Sequence, residues 1–223
     1  MSYFSKDFIA FFLELEKNNH KAWFDENRKR YETSVKKPFQ SFVQEMIKRI
    51  QAVDPEIQLE PKNAIFRINR DIRFSQDKSL YKTHMAAIIS PQGRKDHQHP
   101  GLYFQFGGEK AWIGGGAYQL EKDTLQKLRE HIATHPGKLE KLSNQKEFKA
   151  KFGELKGEKN KVLPKEFKDA AQEQPLLFNK QFYYMVETDA DIILKPNLPE
   201  IMMDYYMTAK PVNDYLKEAM GIV

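Results

Sequence analysis

A chain of 223 residues with no cysteine and a formal net charge of +5 is long enough to bury a sizeable core, and it excludes disulfides and thiolate metal sites. Charged residues reach 30%, and no stretch approaches the roughly 20 consecutive apolar residues of a membrane span. The N-terminus, M-S-Y-F-S-K-D, carries neither a basic leader nor a small-residue cleavage site, so a cytoplasmic location is expected, with anionic partners mildly favoured.

From residue 5 to about 53 the spacing predicts helices. Ser5 is a candidate cap for a first helix whose Phe8, Phe11, Phe12 and Leu15 recur on one face, and Asn18-Asn19 ends it. A second stretch begins at Ala22, with Trp23, Phe24 and Tyr31 as core candidates. Pro38 is placed in the first turn of a third helix carrying Phe39, Phe42, Val43, Met46, Ile47 and Ile50. Core packing explains this aromatic series.

Between Phe66 and Phe74 the period changes to two. Phe66, Ile68, Ile72 and Phe74 share one face, interrupted by Arg70, and Arg67, Asn69, Asp71 and Arg73 share the other, which predicts a strand. On that reading Arg70 points inward and needs a carboxylate partner. Further strands are expected at 85–90, 102–106 and 111–118, with a hydrophilic loop at 91–100 and a hairpin turn at Gly107-Gly108. A helix follows at 121–134, with Leu125, Leu128 and Ile132 on one face. Residues 136–175 read as lysine-rich, irregular and short-helical, 182–188 as a strand, and 198–209 and 211–220 as two helices, the second opened by Pro211. No repeat divides the chain. The expected architecture is α+β, a mainly antiparallel sheet packed with N-terminal, middle and C-terminal helices in a single domain over 1–223.

The densest chemistry lies in the seventeen residues from Phe66 to Lys82, F-R-I-N-R-D-I-R-F-S-Q-D-K-S-L-Y-K. Arg67, Arg70, Arg73, Lys78 and Lys82 face only Asp71 and Asp77, with Tyr81 between the last two lysines. Guanidinium groups match carboxylate and phosphate oxygens, so the cluster is a candidate anion site. In it the aspartates orient the arginines and Tyr81 supplies a hydroxyl or a stacking face. The alternative is an internal ion-pair network.

An early N-N-x-x-x-W-F (Asn18, Asn19, Trp23, Phe24), the R-x-x-R-D-x-R-F-S-x-D-K-S-x-Y-K of the basic segment, and Gly114 to Gly116 occur together. This combination resembles the domain-of-unknown-function family 2461, known from bacteria and fungi. The resemblance runs from Phe4 through the P-V-N-D-Y-L at 211–216. Leu80 stands where the family usually has proline, and the region from Lys159 to Phe167 matches poorly. The resemblance implies one intact domain and lends no reaction, cofactor or partner.

Other constellations carry less. Gly114 to Gly116 are candidates for a backbone nest that binds an anion, but they lack the spacing of a phosphate-binding loop, and a bulge or close backbone packing is the commoner reason for such glycines. His97 and His99, with Asp96 or His84, fall short of a zinc ligand set. Asp189 and Asp191 are candidates for acid–base work but also suit a turn. Ser75 and Ser79 lack a histidine at readable spacing. Three functions stay open: binding of a small phosphorylated or carboxylated ligand, binding of nucleic acid, and a scaffold with a structural charge network. No cofactor and no membrane contact is expected, and neither a catalytic residue nor an oligomeric state is assigned.

Overall fold

The computed structural model describes residues 2–73, 75–95 and 97–222; Phe74, at the end of the expected 66–74 strand, and Asp96, a candidate metal ligand, lie outside the described residues. The chain begins with helices α1 (Lys6–Lys17), α2 (Lys21–Glu26) and α3 (Arg28–Arg30), then a π-helical stretch Tyr31–Lys36, α4 (Lys37–Gln51) and α5 (Pro61–Ala64). Strands β1 (His84–Ile89), β2 (Leu102–Gly107) and β3 (Lys110–Ala117) follow, then α6 (Lys122–Thr134), α7 (Lys138–Ser143), α8 (Lys146–Phe152), α9 (Ala170–Glu173), β4 (Phe182–Asp189) and α10 (Leu198–Met220). The four strands form one antiparallel sheet in the order β1-β2-β3-β4, so the fold is α+β. Among the described residues no helix is long and apolar enough to cross a membrane.

The chain divides into two compact units. The first comprises Met1–Arg94, Tyr103–Ile113 and Glu187–Met203; the second comprises Lys95–Leu102, Gly114–Val186 and Asp204–Val223. In the first unit, Phe8, Phe11, Phe12 and Leu15 of α1 are fully buried, as are Phe39, Phe42 and Met46 of α4. Alternation along β2 sends Phe104 and Phe106 to this core, where Phe104 meets Phe39 at 5.7 Å and Phe106 meets Phe4 at 5.6 Å between ring centroids. Each fully buried phenylalanine contributes on the order of 2 kcal/mol from area burial. Ser5 occupies the N-cap position of α1, but its side chain makes no capping bond. Asn18 does end the helix, its Nδ2 donating to the carbonyl of Glu14 at 2.9 Å.

Pro38 lies in the first turn of α4, as its sequence position predicts, although the chain is already helical before it. The chain stays helical from Arg28 to Gln51, and the wider turn at Tyr31–Lys36 ends two residues before the proline. A π-turn shifts the hydrogen-bond register there, which accommodates a residue with no N–H to donate. Pro211, by contrast, lies inside the continuous helix α10 instead of opening a helix of its own. Ala209, Val212, Tyr215 and Leu216 are buried on both sides of it, and that shared apolar stripe outweighs one missing hydrogen bond.

The second unit packs Leu128 and Ile132 of α6, Phe148 and Phe152 of α8, and Phe182 and Tyr184 of β4 into a core with Val212, Tyr215 and Leu216. Tyr184 is buried and satisfied, its hydroxyl donating to Oδ1 of Asn213 at 2.9 Å. The run Gly114 to Gly116 owes its composition to close approach. A Cβ would lie 2.3 Å from the Tyr184 carbonyl oxygen at Gly114, 2.1 Å from that of Gly101 at Gly115, and 2.3 Å from that of Phe182 at Gly116. Gly116 also has a φ of +97°, which residues with a Cβ rarely adopt.

Candidate functional site

The basic segment does not form the regular strand that its alternation predicts. Phe66 N–H donates to the Ala86 carbonyl at 2.9 Å, Arg70 N–H to Leu80 at 2.9 Å, and Lys82 N–H to the Ile68 carbonyl at 2.8 Å. These bonds give isolated antiparallel bridges, Ile65 with Ala87 and Asn69 with Tyr81. Beyond Arg70 the aspartates take over the local bonding. Asp71 Oδ1 accepts from the Arg73 backbone N–H at 3.3 Å, and Asp77 Oδ1 accepts from Ser79 N–H at 2.9 Å and Ser79 Oγ at 2.6 Å. Such side-chain bonds compete with a ladder and turn the chain into a loop.

Tyr81 anchors that loop. Because Asn69 and Tyr81 form a non-hydrogen-bonded pair, the N–H and carbonyl of Tyr81 need other partners. Asn19 provides both: Tyr81 N–H donates to its Oδ1 at 2.9 Å, and its Nδ2 donates to the Tyr81 carbonyl at 2.9 Å. The Tyr81 ring stacks on Phe24, centroids 4.0 Å apart and planes at 11°, and the residue is 6% exposed. The N-N-x-x-x-W-F segment therefore meets the basic motif as a carboxamide clamp and a ring stack.

The cations fall into two groups. Arg73 is exposed and pairs with Asp71, Nη2 to Oδ2 at 2.7 Å, while Lys78 Nζ donates to the Ile72 carbonyl at 3.1 Å. Both belong to the loop. Arg70 is partly buried instead of pointing into the core, and its guanidinium pairs with Asp77. Its bonds from Arg73 hold the Asp71 carboxyl down at about 2. Asp77 is likewise lowered to about 2, chiefly by the Ser79 bonds and then by Arg70.

Lys82 is the exception. Half-buried, it has no carboxylate partner among the described residues, and its Nζ lies 5.3 Å from the centroid of the Phe66 ring. Burial lowers its pKa, and the neighbouring charges of Arg67 and Arg70 lower it further. His84, two residues on, is pushed down to about 4 by burial and by Lys82 and Arg70, so it is neutral at pH 7. Phe66 packs edge-on against Tyr103 at 6.4 Å, and the Tyr103 hydroxyl donates to Gln105 Oε1 at 2.9 Å. Arg67, Arg70 and Lys82 thus adjoin a neutral histidine and an aromatic, amide-bearing stretch of the sheet. Of these, His84, Tyr103 and Gln105 were missed as companions of the cations. For His84 the signal was readable: Lys82 and His84 are two apart, the spacing that puts strand residues on one face.

The model of the family described as a conserved hypothetical protein (DUF2461) matches residues 7–215. The chain belongs to the DUF2461 family. That match takes in both the Asn19–Phe24 segment and the whole basic segment that it braces. No curated protein matches the sequence.

The other candidates lie elsewhere. Among the described residues no group of three His, Asp or Glu side chains is arranged to hold a metal ion. His97 offers its backbone carbonyl to Tyr118 N–H at 3.0 Å, and Asp189 pairs with Lys110 at 3.4 Å. Asp191 lies in the short 3-10 turn after β4, and Ser79 is engaged by Asp77.

Proposed function

We propose that this DUF2461 protein binds a small anionic ligand, phosphorylated or carboxylated, through Lys82, Arg67 and Arg70. The observation that carries this reading is Lys82, a half-buried ammonium with like charges beside it and no carboxylate among the described residues. A structural network would be expected to neutralise its most buried cation first, since an unpaired charge away from water is costly. A bound anion would relieve that repulsion and accept bonds from both arginines. His84, Tyr103 and Gln105 would offer uncharged donors and a flat apolar surface to the rest of the ligand. The three cations form a compact group, which suits one anionic group better than the extended phosphate track of a nucleic acid.

The test compares wild type with Lys82→Met, which keeps an unbranched stem over Phe66 and removes the charge. Melting temperatures are read with phosphate, sulfate, sugar phosphates, dicarboxylates and single-stranded oligonucleotides. A saturable rise for one small-anion class, lost in the variant while its ligand-free stability is kept or raised, is the expected result. A variant that melts well below wild type without ligand, combined with no anion response in wild type, would sink the reading. A response to oligonucleotides alone, declining steeply with salt, would transfer it to nucleic acid.

A further inference from the structure

Within the first unit, β2 and β3 have one covered face and one open face. Phe104, Phe106, Ala111 and Ile113 are buried on the phenylalanine core, while Tyr103, Gln105 and Trp112 alternate with them and are only partly buried. Gly107 and Lys110 flank the two-residue turn between these strands, which sets Gln105 opposite Trp112 on the open face. A Cβ on Gly107 would lie 3.6 Å from the Cβ of His84, so His84 of β1 stands on that face too. His84, Gln105 and Trp112 therefore step across it, one on each strand.

Their polar groups are unsatisfied and reachable. The Gln105 side-chain oxygen accepts from the Tyr103 hydroxyl at 2.9 Å, which orients the amide and leaves both of its N–H bonds without an acceptor. The His84 ring nitrogens and the Trp112 indole N–H make no hydrogen bond among the described residues. These atoms and the Gln105 amide nitrogen are all open to solvent. The Trp112 ring has no aromatic or cationic neighbour among the described residues either. An accessible indole with a bare ring and a free N–H is a stacking platform. A continuous track joins it to the cations. Lys82 Nζ lies 5.3 Å from the Phe66 ring, Phe66 meets Tyr103 at 6.4 Å, Tyr103 bonds to Gln105, and Gln105 faces Trp112. Because β1 and β3 run about 10 Å apart, the indole lies beyond a phosphate held at Lys82 and at the reach of a ring carried on a spacer.

We infer that the anion bound by this unit is a nucleoside monophosphate, its phosphate on Lys82, Arg67 and Arg70, its base stacked on Trp112 and accepting from the Gln105 amide. Nucleobases offer ring nitrogens and carbonyl oxygens to such donors, and stacking tolerates any of the four bases. A sugar phosphate without a base would leave the indole bare. The inference rests on the anion-site reading of Lys82, and its test separates the two.

Isothermal titration of the full chain compares AMP, GMP, CMP and UMP with ribose 5-phosphate and inorganic phosphate. At least one nucleotide should bind tenfold or more tighter than ribose 5-phosphate. In Trp112→Leu, checked for its fold by circular dichroism, the two affinities should become equal. Trp23→Phe leaves Trp112 as the sole tryptophan, and its emission should be quenched saturably by the nucleotide and not by ribose 5-phosphate. Equal binding of nucleotides and ribose 5-phosphate by wild type, or a nucleotide preference that survives in Trp112→Leu, would overturn this inference and leave the anion site standing. Absence of binding by every phosphate-bearing compound would remove the anion site and this inference with it.

Discussion

Lys82 has no carboxylate partner among the described residues, whereas Asn19 is defined by the Tyr81 backbone it serves. Asn19 holds both backbone polar groups of Tyr81, so Asn19→Ala leaves a partly buried donor and acceptor unmet. We expect it to cost about 2 kcal/mol, read from the urea midpoint. Phe24→Leu tests the other half of the clamp. Removing the stack with Tyr81 should cost about 1 kcal/mol beyond the lost area. Arg73→Ala is the contrast: the residue is exposed and its pairing with Asp71 is local, so its urea midpoint should match wild type. If Arg73→Ala proved as destabilising as Asn19→Ala, the division of the cations into loop and site would be wrong.

At the scale of elements, the instructive departure is the 66–74 segment. Its alternation of apolar and charged residues was legible, and Ile68 does turn inward while Arg67 and Asn69 face solvent. A ladder needs a partner along its length, however, and Asp71 and Asp77 bond to residues two positions away, Arg73 and Ser79, ending the pairing after Arg70. The remaining strands were readable to within a residue or so: β2 and the first half of β4 alternate buried and less buried positions, and β1 is a short apolar run buried on both faces. Pro211 misled because a proline marks a lost N–H, and whether a helix ends there depends on the burial around it. For the glycine run of β3 the sequence left a bulge or close packing as the commoner reasons, and the structure shows close packing. Gly116→Ala combines a forbidden φ with a clash on the Phe182 carbonyl, and should destabilise by on the order of 3 kcal/mol in denaturant melts.

For the molecule as a whole, pH ties the site to stability. Folded His84 holds its proton only below about pH 4, whereas the unfolded side chain takes one near 6.5. Between those values the unfolded chain binds more protons, so stability falls as pH is lowered from about 6.5 to 4, by roughly 3 kcal/mol in total. His84→Gln should flatten the urea midpoint across that window. Asp71 and Asp77, lowered to about 2, add a further loss only below about pH 4, as they protonate. A bound anion would raise the pKa of His84 and Lys82, so the affinity for sulfate, whose charge stays constant, should increase as pH falls from 7 to 5. By itself the sequence determined the α+β class, the buried faces of most helices and strands, and the stretch in which cationic charge concentrates. Those properties follow from local periodicity and composition, which act over a few residues. Only the tertiary structure decided which cations are neutralised and that Asn19 and Phe24 serve Tyr81. Charge pairing and satisfaction of buried polar groups depend on which side-chain ends meet, and those meetings join positions as far apart as 19 and 81.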